Sequence, residues 1–321
     1  MSGVPRRILI DVDTGTDDAL AILYSVRHPD VDVLGISCAA GNVPIDQVVI
    51  NTCKVLDAAG AGDIPVAAGA RQPLIERARR TGGPHGVDGL GGIQLPKTSR
   101  QRSPLHAVEL MRQLIMTSTE GVTLVTLAPK TNAAMLISMY PEVATRLEQI
   151  IFMGGSASGG NVTAPAEFNV WQDPEAAQCV IESAIPITMY GLDVFSRLTV
   201  SRADADRFRA HGHPAIGLAG ELLYRRRGRS DEESCDYVGL LGDAGAIVLL
   251  TNPDLFTTRE FGVRINLEGT GRGQTILHQR AAPRGSSLHD PHLWPRTAVV
   301  VDLDIAQAAA TFVKVIDAYD S

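Results

Sequence analysis

The chain has no excess of positive charge, no long apolar run and no paired cysteine motif. Lys and Arg number 29 against 36 Asp and Glu, a net charge of −7, with a sequence pI near 5.6. A nucleic-acid surface holds phosphates with clustered Lys and Arg, so this balance argues against nucleic acid as a partner. The dense basic clusters, at 77–80 and 225–229, read as solvated loop or helix faces. No stretch of 18 apolar residues occurs, and no signal-peptide core follows Arg6 and Arg7, so no membrane association is expected. Cys38, Cys53, Cys179 and Cys235 are scattered, with no CxxC pair. A chain this long needs no disulfide staples, and a reducing cytoplasm is the simplest compartment. Aromatic residues are also scarce, at 5%, within a composition that is 45% hydrophobic and 20% charged. A sequence of 321 residues with that mix buries a substantial core.

What the chain does have is alternation. Ile8, Leu9, Ile10 and Val12 form a short apolar run that stops at Thr14-Gly15, and a helical pattern spans 19–26 before Pro29. A strand follows at 31–40, a helix at 46–59 and a strand at 64–67, with later strands at 122–127, 149–153, 187–190 and 298–301. This order predicts an α/β fold, a mostly parallel central sheet with helices on both faces, Rossmann-like and open. Three Gly-rich stretches, at 69–104, 154–173 and 269–296, read as long loops, which in compact domains tend to be lids or binding loops. No composition break marks a linker, so residues 1–321 are expected to form one domain. Functional groups are expected at the carboxyl edge of the sheet.

The densest chemistry lies in Asp11-Val12-Asp13-Thr14-Gly15-Thr16-Asp17-Asp18-Ala19. Asp11 and Asp13 share one side of an extended strand, and Asp17 and Asp18 open the next helix. A helix N-terminus favours negative charge by only about 0.3–1 kcal/mol, too little to offset the repulsion among four acids. A hard cation with oxygen ligands, Ca²⁺ or Mg²⁺, resolves the conflict. An EF-hand loop beginning at Asp11 would need Gly at its sixth position and Glu at its twelfth. The chain has Thr16 and Ile22 there, which excludes that loop. The DxDxT opening also resembles haloacid-dehalogenase-like phosphatases, in which the first Asp is a nucleophile.

The remaining motifs decide between these. Gly41-Asn42 ends the second strand, His85-Gly86-Val87-Asp88-Gly89 resembles an HGxDG loop, and Leu127-Ala128-Pro129-Lys130-Thr131-Asn132 resembles an xGPLTN turn. Met153-Gly154-Gly155, Gly160-Asn161-Val162-Thr163, Ala166-Glu167-Phe168-Asn169 and Asp173-Pro174-Glu175 follow in order, and Leu241-Gly242-Asp243 comes near the end. With the N-terminal DxDxxxDDA pattern, this series resembles the inosine–uridine-preferring nucleoside hydrolase family from residue 11 to 243. The phosphatase resemblance has no comparable support.

That resemblance implies Ca²⁺-dependent hydrolysis of the N-glycosidic bond of ribonucleosides, releasing free base and ribose. It implies one Ca²⁺ per subunit, held by Asp13, Asp18, Asp243 and the backbone carbonyl of Leu127. Asp17, Asn42, Met153, Asn161, Glu167 and Asn169 correspond to substrate-binding positions, where ribose hydroxyls need partners once water is excluded. Asp13 is expected to act as general base on a water held by the ion. Asp11 is expected to support the loop. His85 faces the base, and Trp171 could stack on it or pack in the core. A small-molecule nucleoside is the expected partner, and a homodimer or homotetramer the expected assembly.

One departure matters. Many members of the family place a His before the late Asp to protonate the departing base, but this chain has Gly242. Tyr224, Tyr237, Cys235 or His85 could take its place. A second reading also stands open: a non-catalytic nucleoside or ribose binder that kept the metal and sugar site.

Overall fold

A computed structural model describes residues 4–77, 83–225, 239–279 and 294–320. The apolar run at the start becomes β1 (Arg6–Val12), followed by α1 (Thr16–Arg27), β2 (Val31–Cys38), α2 (Ile45–Ala58) and β3 (Val66–Ala68). After a long connection come α3 (Ala107–Thr117), β4 (Val122–Thr126), α4 (Thr131–Met139) and β5 (Leu147–Met153). The chain continues through α5 (Phe168–Gln172), α6 (Pro174–Ile181), β6 (Ile187–Tyr190) and α7 (Leu192–Phe195). Next are β7 (Thr199–Val200), α8 (Arg202–Arg209), α9 (Pro214–Arg225), β8 (Gly239–Leu240) and α10 (Ala244–Thr251). Last are β9 (Phe256–Ile265), β10 (Thr275–His278), β11 (Arg296–Leu303) and α11 (Ile305–Asp317).

Nine strands form one sheet in the order β10-β9-β11-β6-β5-β4-β1-β2-β3. Every neighbouring pair from β3 to β11 is parallel. Parallel neighbours need crossovers, and the helices that supply them cover both faces. Alternation along β1 divides its side chains between two cores. Ile8, Ile10 and Val12 pack with Leu20 of α1, Ile247 of α10 and Phe312 of α11. Leu9 packs with Met111 of α3, Ala133 of α4 and Val180 of α6. No described helix is long and apolar enough to cross a membrane.

Two loop assignments are corrected. Within 154–173, residues Phe168–Gln172 form α5, because the Glu167 carboxylate caps it by accepting from the N–H groups of Asn169 and Val170. Within 269–296, Thr275–His278 form β10, antiparallel to β9, while 280–293 lie outside the described residues. Strand β9 itself escapes a pattern search, since Thr257, Thr258, Arg259 and Glu260 are all exposed and break the alternation. The pair β9–β10 runs antiparallel beside β11 and extends the parallel sheet at one edge.

The order 3-2-1-4-5-6 reverses direction between β1 and β4, and open α/β sheets bind ligands outside the carboxyl ends of strands at such a switch point. Asn132, in the first turn of α4, ties this point together. Its Nδ2 donates to Asp11 Oδ1 at 2.8 Å and to the Cys38 carbonyl at 3.0 Å, and its Oδ1 accepts from Ala70 N–H at 2.8 Å. Asp11 Oδ1 also accepts from Ser37 Oγ at 2.6 Å. Replacing Asn132 by Leu removes three hydrogen bonds, worth roughly 0.5–1.5 kcal/mol each, and takes from the Ala70 N–H its acceptor, while Asp11 Oδ1 keeps Ser37 and the Cys38 carbonyl keeps the Gly69 N–H. Urea denaturation of Asn132→Leu is expected to show stability lower by at least about 2 kcal/mol, and an unchanged midpoint would remove Asn132 from this role.

Candidate active site

β1 ends at Val12, so Asp13 begins the turn instead of continuing the strand, and the first two acids part company. Asp11 stays below with Ser37 and Asn132, while Asp13 lines a cavity of about 430 Å³ at the carboxyl ends of β1, β4 and β5. That volume suits a small organic molecule. Asp17, Asn42, His85, Leu127, Met153, Asn161, Glu167, Asn169 and Asp243 line the same cavity. Asp18 is fully buried beside it. Trp171, expected as a stacking candidate, is not among the lining residues; its backbone lies against Gly273. Phe168 and Phe195 line the cavity instead.

The acids are held by backbone donors. Asp13 Oδ2 accepts from Asn42 N–H at 2.7 Å. Asp18 accepts from Gly15 N–H at 2.8 Å and from Asp13 N–H at 3.3 Å, which closes the first turn of α1. Burial, reinforced by the charges of Asp18 and Asp17, pushes the Asp13 carboxyl well above the usual range. Burial and then the Asp17 charge push Asp18 up to about 7. Burial alone, opposed by the Asn132 and Ser37 hydrogen bonds, pushes Asp11 up to about 6.

Asp17, Asp18 and Asp243 each bring one carboxylate oxygen to a place where the three lie within 4.8 Å of one another. An all-oxygen, anionic and desolvated donor set fits a hard cation such as Ca²⁺. Among the carboxylates, the group differs from the expected set in one member. Asp17, expected at the ribose, stands inside it, and Asp13, expected inside it, has Oδ2 turned towards Asn42 N–H. Asp243 precedes α10 without capping it.

Three further groups shape the walls. Glu167 accepts from Asn169, Val170 and Gly155 N–H groups, so the AEFN segment builds its own cap beside the cavity. Asn161 Oδ1 accepts from Phe168 N–H at 2.9 Å. His85 Nδ1 accepts from Thr16 N–H at 3.1 Å and also lies 3.6 Å from Asp17 Oδ1. A backbone N–H can only donate, so Nδ1 is the acceptor in this geometry, which assigns the ring proton to Nε2. The HGVDG loop is fixed to α2 by Asn51 Nδ2, which donates to the Asp88 carbonyl at 2.8 Å.

Lys130 was not legible as a functional residue. It is completely buried, and its Nζ donates to the carbonyls of Thr126, Ala128 and Met153. Burial draws its ammonium down to about 8, opposed by the charges of Glu167 and Asp11. The one available signal was its place in the xGPLTN-like turn, where the motif carries Leu.

Gly242 leaves no room for the missing acid. Its φ is +57°, and a Cβ there would lie 2.8 Å from the Asp17 side chain and 3.0 Å from the Phe195 ring. Among the substitutes considered, His85 lines the cavity, whereas Tyr224 packs under the Arg209 guanidinium. Cys235 and Tyr237 lie outside the described residues.

An open 3-2-1-4-5-6 sheet with a carboxylate-lined cavity at its switch point places the chain among the α/β proteins that bind a small molecule at the carboxyl ends of their strands. The sequence model of the inosine-uridine preferring nucleoside hydrolases matches residues 8–310, and the chain belongs to that family. It is 37% identical over 299 residues to the pyrimidine-specific ribonucleoside hydrolase RihA of Citrobacter koseri, covering 92% of this chain and 93% of the relative. It is 38% identical over 272 residues to RihA of Escherichia coli, covering 84% and 88%. Among solved structures, the plant nucleoside hydrolase PpNRh1 superposes with a TM-score of 0.88 at 26% identity, covering 97% of this chain and 99% of that one. The purine-preferring ribonucleoside hydrolase of Gardnerella vaginalis gives 0.86 at 26% identity, covering 98% and 100%.

Two outcomes follow from this geometry. With native carboxyls at about 6 and about 7 against an ordinary 3.8, the metal-free native state keeps protons that the unfolded chain releases. The stability that these two carboxyls contribute is therefore expected to be fully present below pH 4 and to be lost as pH rises from about 4 through about 7. Urea denaturation in chelator across that range reads the sign, and a rise would contradict the shifts. Second, Gly242→His is expected to lower thermal stability, by roughly 1–3 kcal/mol for an αL strain, without raising turnover of inosine. A stable, faster variant would show that the turn opens.

Proposed function

We propose that the protein is a Ca²⁺-dependent ribonucleoside hydrolase that cleaves the N-glycosidic bond to free base and ribose, in nucleoside catabolism. The observation that supports this most is the meeting, in one cavity of about 430 Å³, of buried acids with the hydrogen-bonding groups of Asn42, Asn161, Glu167 and Asn169. Acids alone would suit many metal sites. Amide and carboxylate partners beside them suit a polyhydroxylated ring.

In this reading Asp13, Asp18, Asp243 and the Leu127 carbonyl hold the ion, with Asp17 shared between ion and ribose. Bound there, Ca²⁺ supplies a fixed positive charge that favours hydroxyl and water oxygens and reverses the mutual repulsion of the acids. Asp13 takes a proton from the attacking water as its oxygen bonds C1′ and the C1′–N bond breaks. Positive charge develops on the sugar, as in glycoside hydrolysis, and the anionic surroundings of Asp17 and Glu167 favour it. The electron pair of the C1′–N bond leaves with the base, which His85 meets with a hydrogen bond from Nε2–H and which takes up its proton from solvent on release. Phe168 and Phe195 give the cavity an apolar side. Pyrimidine ribonucleosides are the first substrates to test, because the RihA relatives carry that specificity in their names. A reducing cytoplasm suits the unbridged Cys38, Cys53 and Cys179. The homodimer or homotetramer implied by the family resemblance belongs to the same proposal, and sedimentation reads it.

Release of reducing ribose from a panel of nucleosides separates the enzyme from a mere binder. Asp13→Ala is expected to lose about 10²–10⁴-fold in kcat, the usual worth of a general base, with an unchanged circular dichroism spectrum. Extensive chelation with EGTA is expected to abolish turnover, and Ca²⁺ to restore it. A 2′-deoxynucleoside is expected to lose about 10⁴–10⁵ in kcat/KM, because the groups that meet the hydroxyl are left unpaired. Equal turnover of both sugars would sink the ribose-binding assignment.

A further inference from the structure

The turn after β4 carries three carbonyls in succession that do not point the same way. Those of Thr126 and Ala128 accept from Lys130 Nζ, the first at 3.3 Å. The carbonyl of Leu127, between them, accepts from Asn169 Nδ2 at 2.6 Å, beside the cavity that both residues line. The N–H groups of Leu127 and Ala128 both donate to the Asp11 carbonyl, at 2.8 and 3.2 Å. The third bond of Lys130 goes to the carbonyl of Met153, at 2.6 Å, at the end of β5. Asn169 Nδ2 reaches that same carbonyl at 3.5 Å and the Met153 sulfur at 3.1 Å. The Phe152 ring closes the other side, 4.6 Å from Nζ.

An ammonium has three donors, and here all three are spent on carbonyls from two adjacent strand ends. Lys130 is not among the cavity-lining residues. A fully buried charge is costly, and an apolar residue of similar volume is often as stable or more so. Packing alone therefore does not account for lysine at this place, whereas the alternation of the carbonyls does. The Leu127 carbonyl shares one planar trans peptide with the Ala128 N–H that donates to Asp11, and the grip of Lys130 on the carbonyls at either side fixes the neighbouring units, so the middle carbonyl is held on the cavity side.

We propose that Lys130 is a positioning residue of the active site: by gripping the carbonyls of Thr126, Ala128 and Met153 beneath the sheet end, it aims the Leu127 carbonyl and the Asn169 amide into the cavity. This rests on the reading above, in which the Leu127 carbonyl meets the cation and Asn169 the ribose. Lys130 touches neither ligand and acts through these two groups.

The test is Lys130→Met, which keeps most of the stem and removes the donors. In the folded variant, Ca²⁺ affinity by calorimetry is expected to fall at least about tenfold and KM for a ribonucleoside to rise by a similar factor, with kcat at saturating Ca²⁺ changed much less. Coupling to Asn169 gives a reading that a general loss of stability would not move. If Lys130 acts through that amide, the KM losses of Lys130→Met and Asn169→Ala are non-additive in the double variant. A folded Lys130→Met with Ca²⁺ affinity and KM within twofold of the wild type overturns the proposal. Should that variant not fold, Lys130→Gln, which keeps one amide donor without the charge, is read in the same way. If the wild type itself neither binds Ca²⁺ nor releases ribose, the functional reading fails first, and the crystal structure of the folded variant decides separately. A displaced Leu127 carbonyl or Asn169 amide then supports the positioning role, and unmoved groups overturn it.

Discussion

Carboxylates gathered in a single buried turn repel one another and lose their hydration together, and the end of the molecule that carries the cavity is arranged around that conflict. Asp13, Asp17, Asp18 and Asp243 are all nearly or wholly inaccessible. The compensation within the chain comes from oriented backbone N–H groups at Gly15, Asp13 and Asn42 and from the start of α1. Even so, burial leaves Asp13 and Asp18 raised, so the protein alone does not pay off the charge. Close approach is part of the same constraint. A Cβ at Gly41 would sit 2.0 Å from Asp13 Oδ2, so the loop after β2 can come near enough to donate only because it has no side chain there.

Topology decides where this concentration of charge can stand. At the switch between β1 and β4 no crossover covers the strand ends, and turns from both directions converge there. Asn132 and Lys130, two residues apart in one turn, serve opposite sides of that junction. Asn132 links β1 and β2 with the loop after β3, while Lys130 links β4 with β5. The HGVDG loop reaches the site from far along the chain and is fixed to the start of α1 through Thr16 and His85. With Gly242 closed by Asp17 and Phe195, His85 is the cavity-lining histidine among the described residues.

Much of this architecture is legible in the amino-acid sequence. The parallel strands and the first helices follow from apolar runs punctuated by Gly and Pro, and the site motifs follow from their order. The misses have physical causes. β9 is exposed over four successive residues and so lacks the two-residue alternation of a half-buried strand. α5 has only five residues, and its cap is a glutamate side chain that reaches its own backbone, a bond that no periodicity reports. Asp11 and Asp13 share a face only if the strand continues, and it stops at Val12. Trp171 follows the AEFN segment in sequence, but Phe168 and Phe195 are the aromatic residues that line the cavity. Lys130 was invisible because a lysine in a loop motif ordinarily signals solvent, and burial is a property of the fold.

Residues at 13, 42, 85, 127, 169 and 243 meet around one space although they come from segments far apart in the chain. No contiguous piece of the chain contains enough of the site to recognise a ligand, so partly folded forms have nothing to bind with. Whatever occupies the cavity thus draws its binding energy against global unfolding, and at a hundredfold excess over its dissociation constant it adds about 2.7 kcal/mol to the whole molecule.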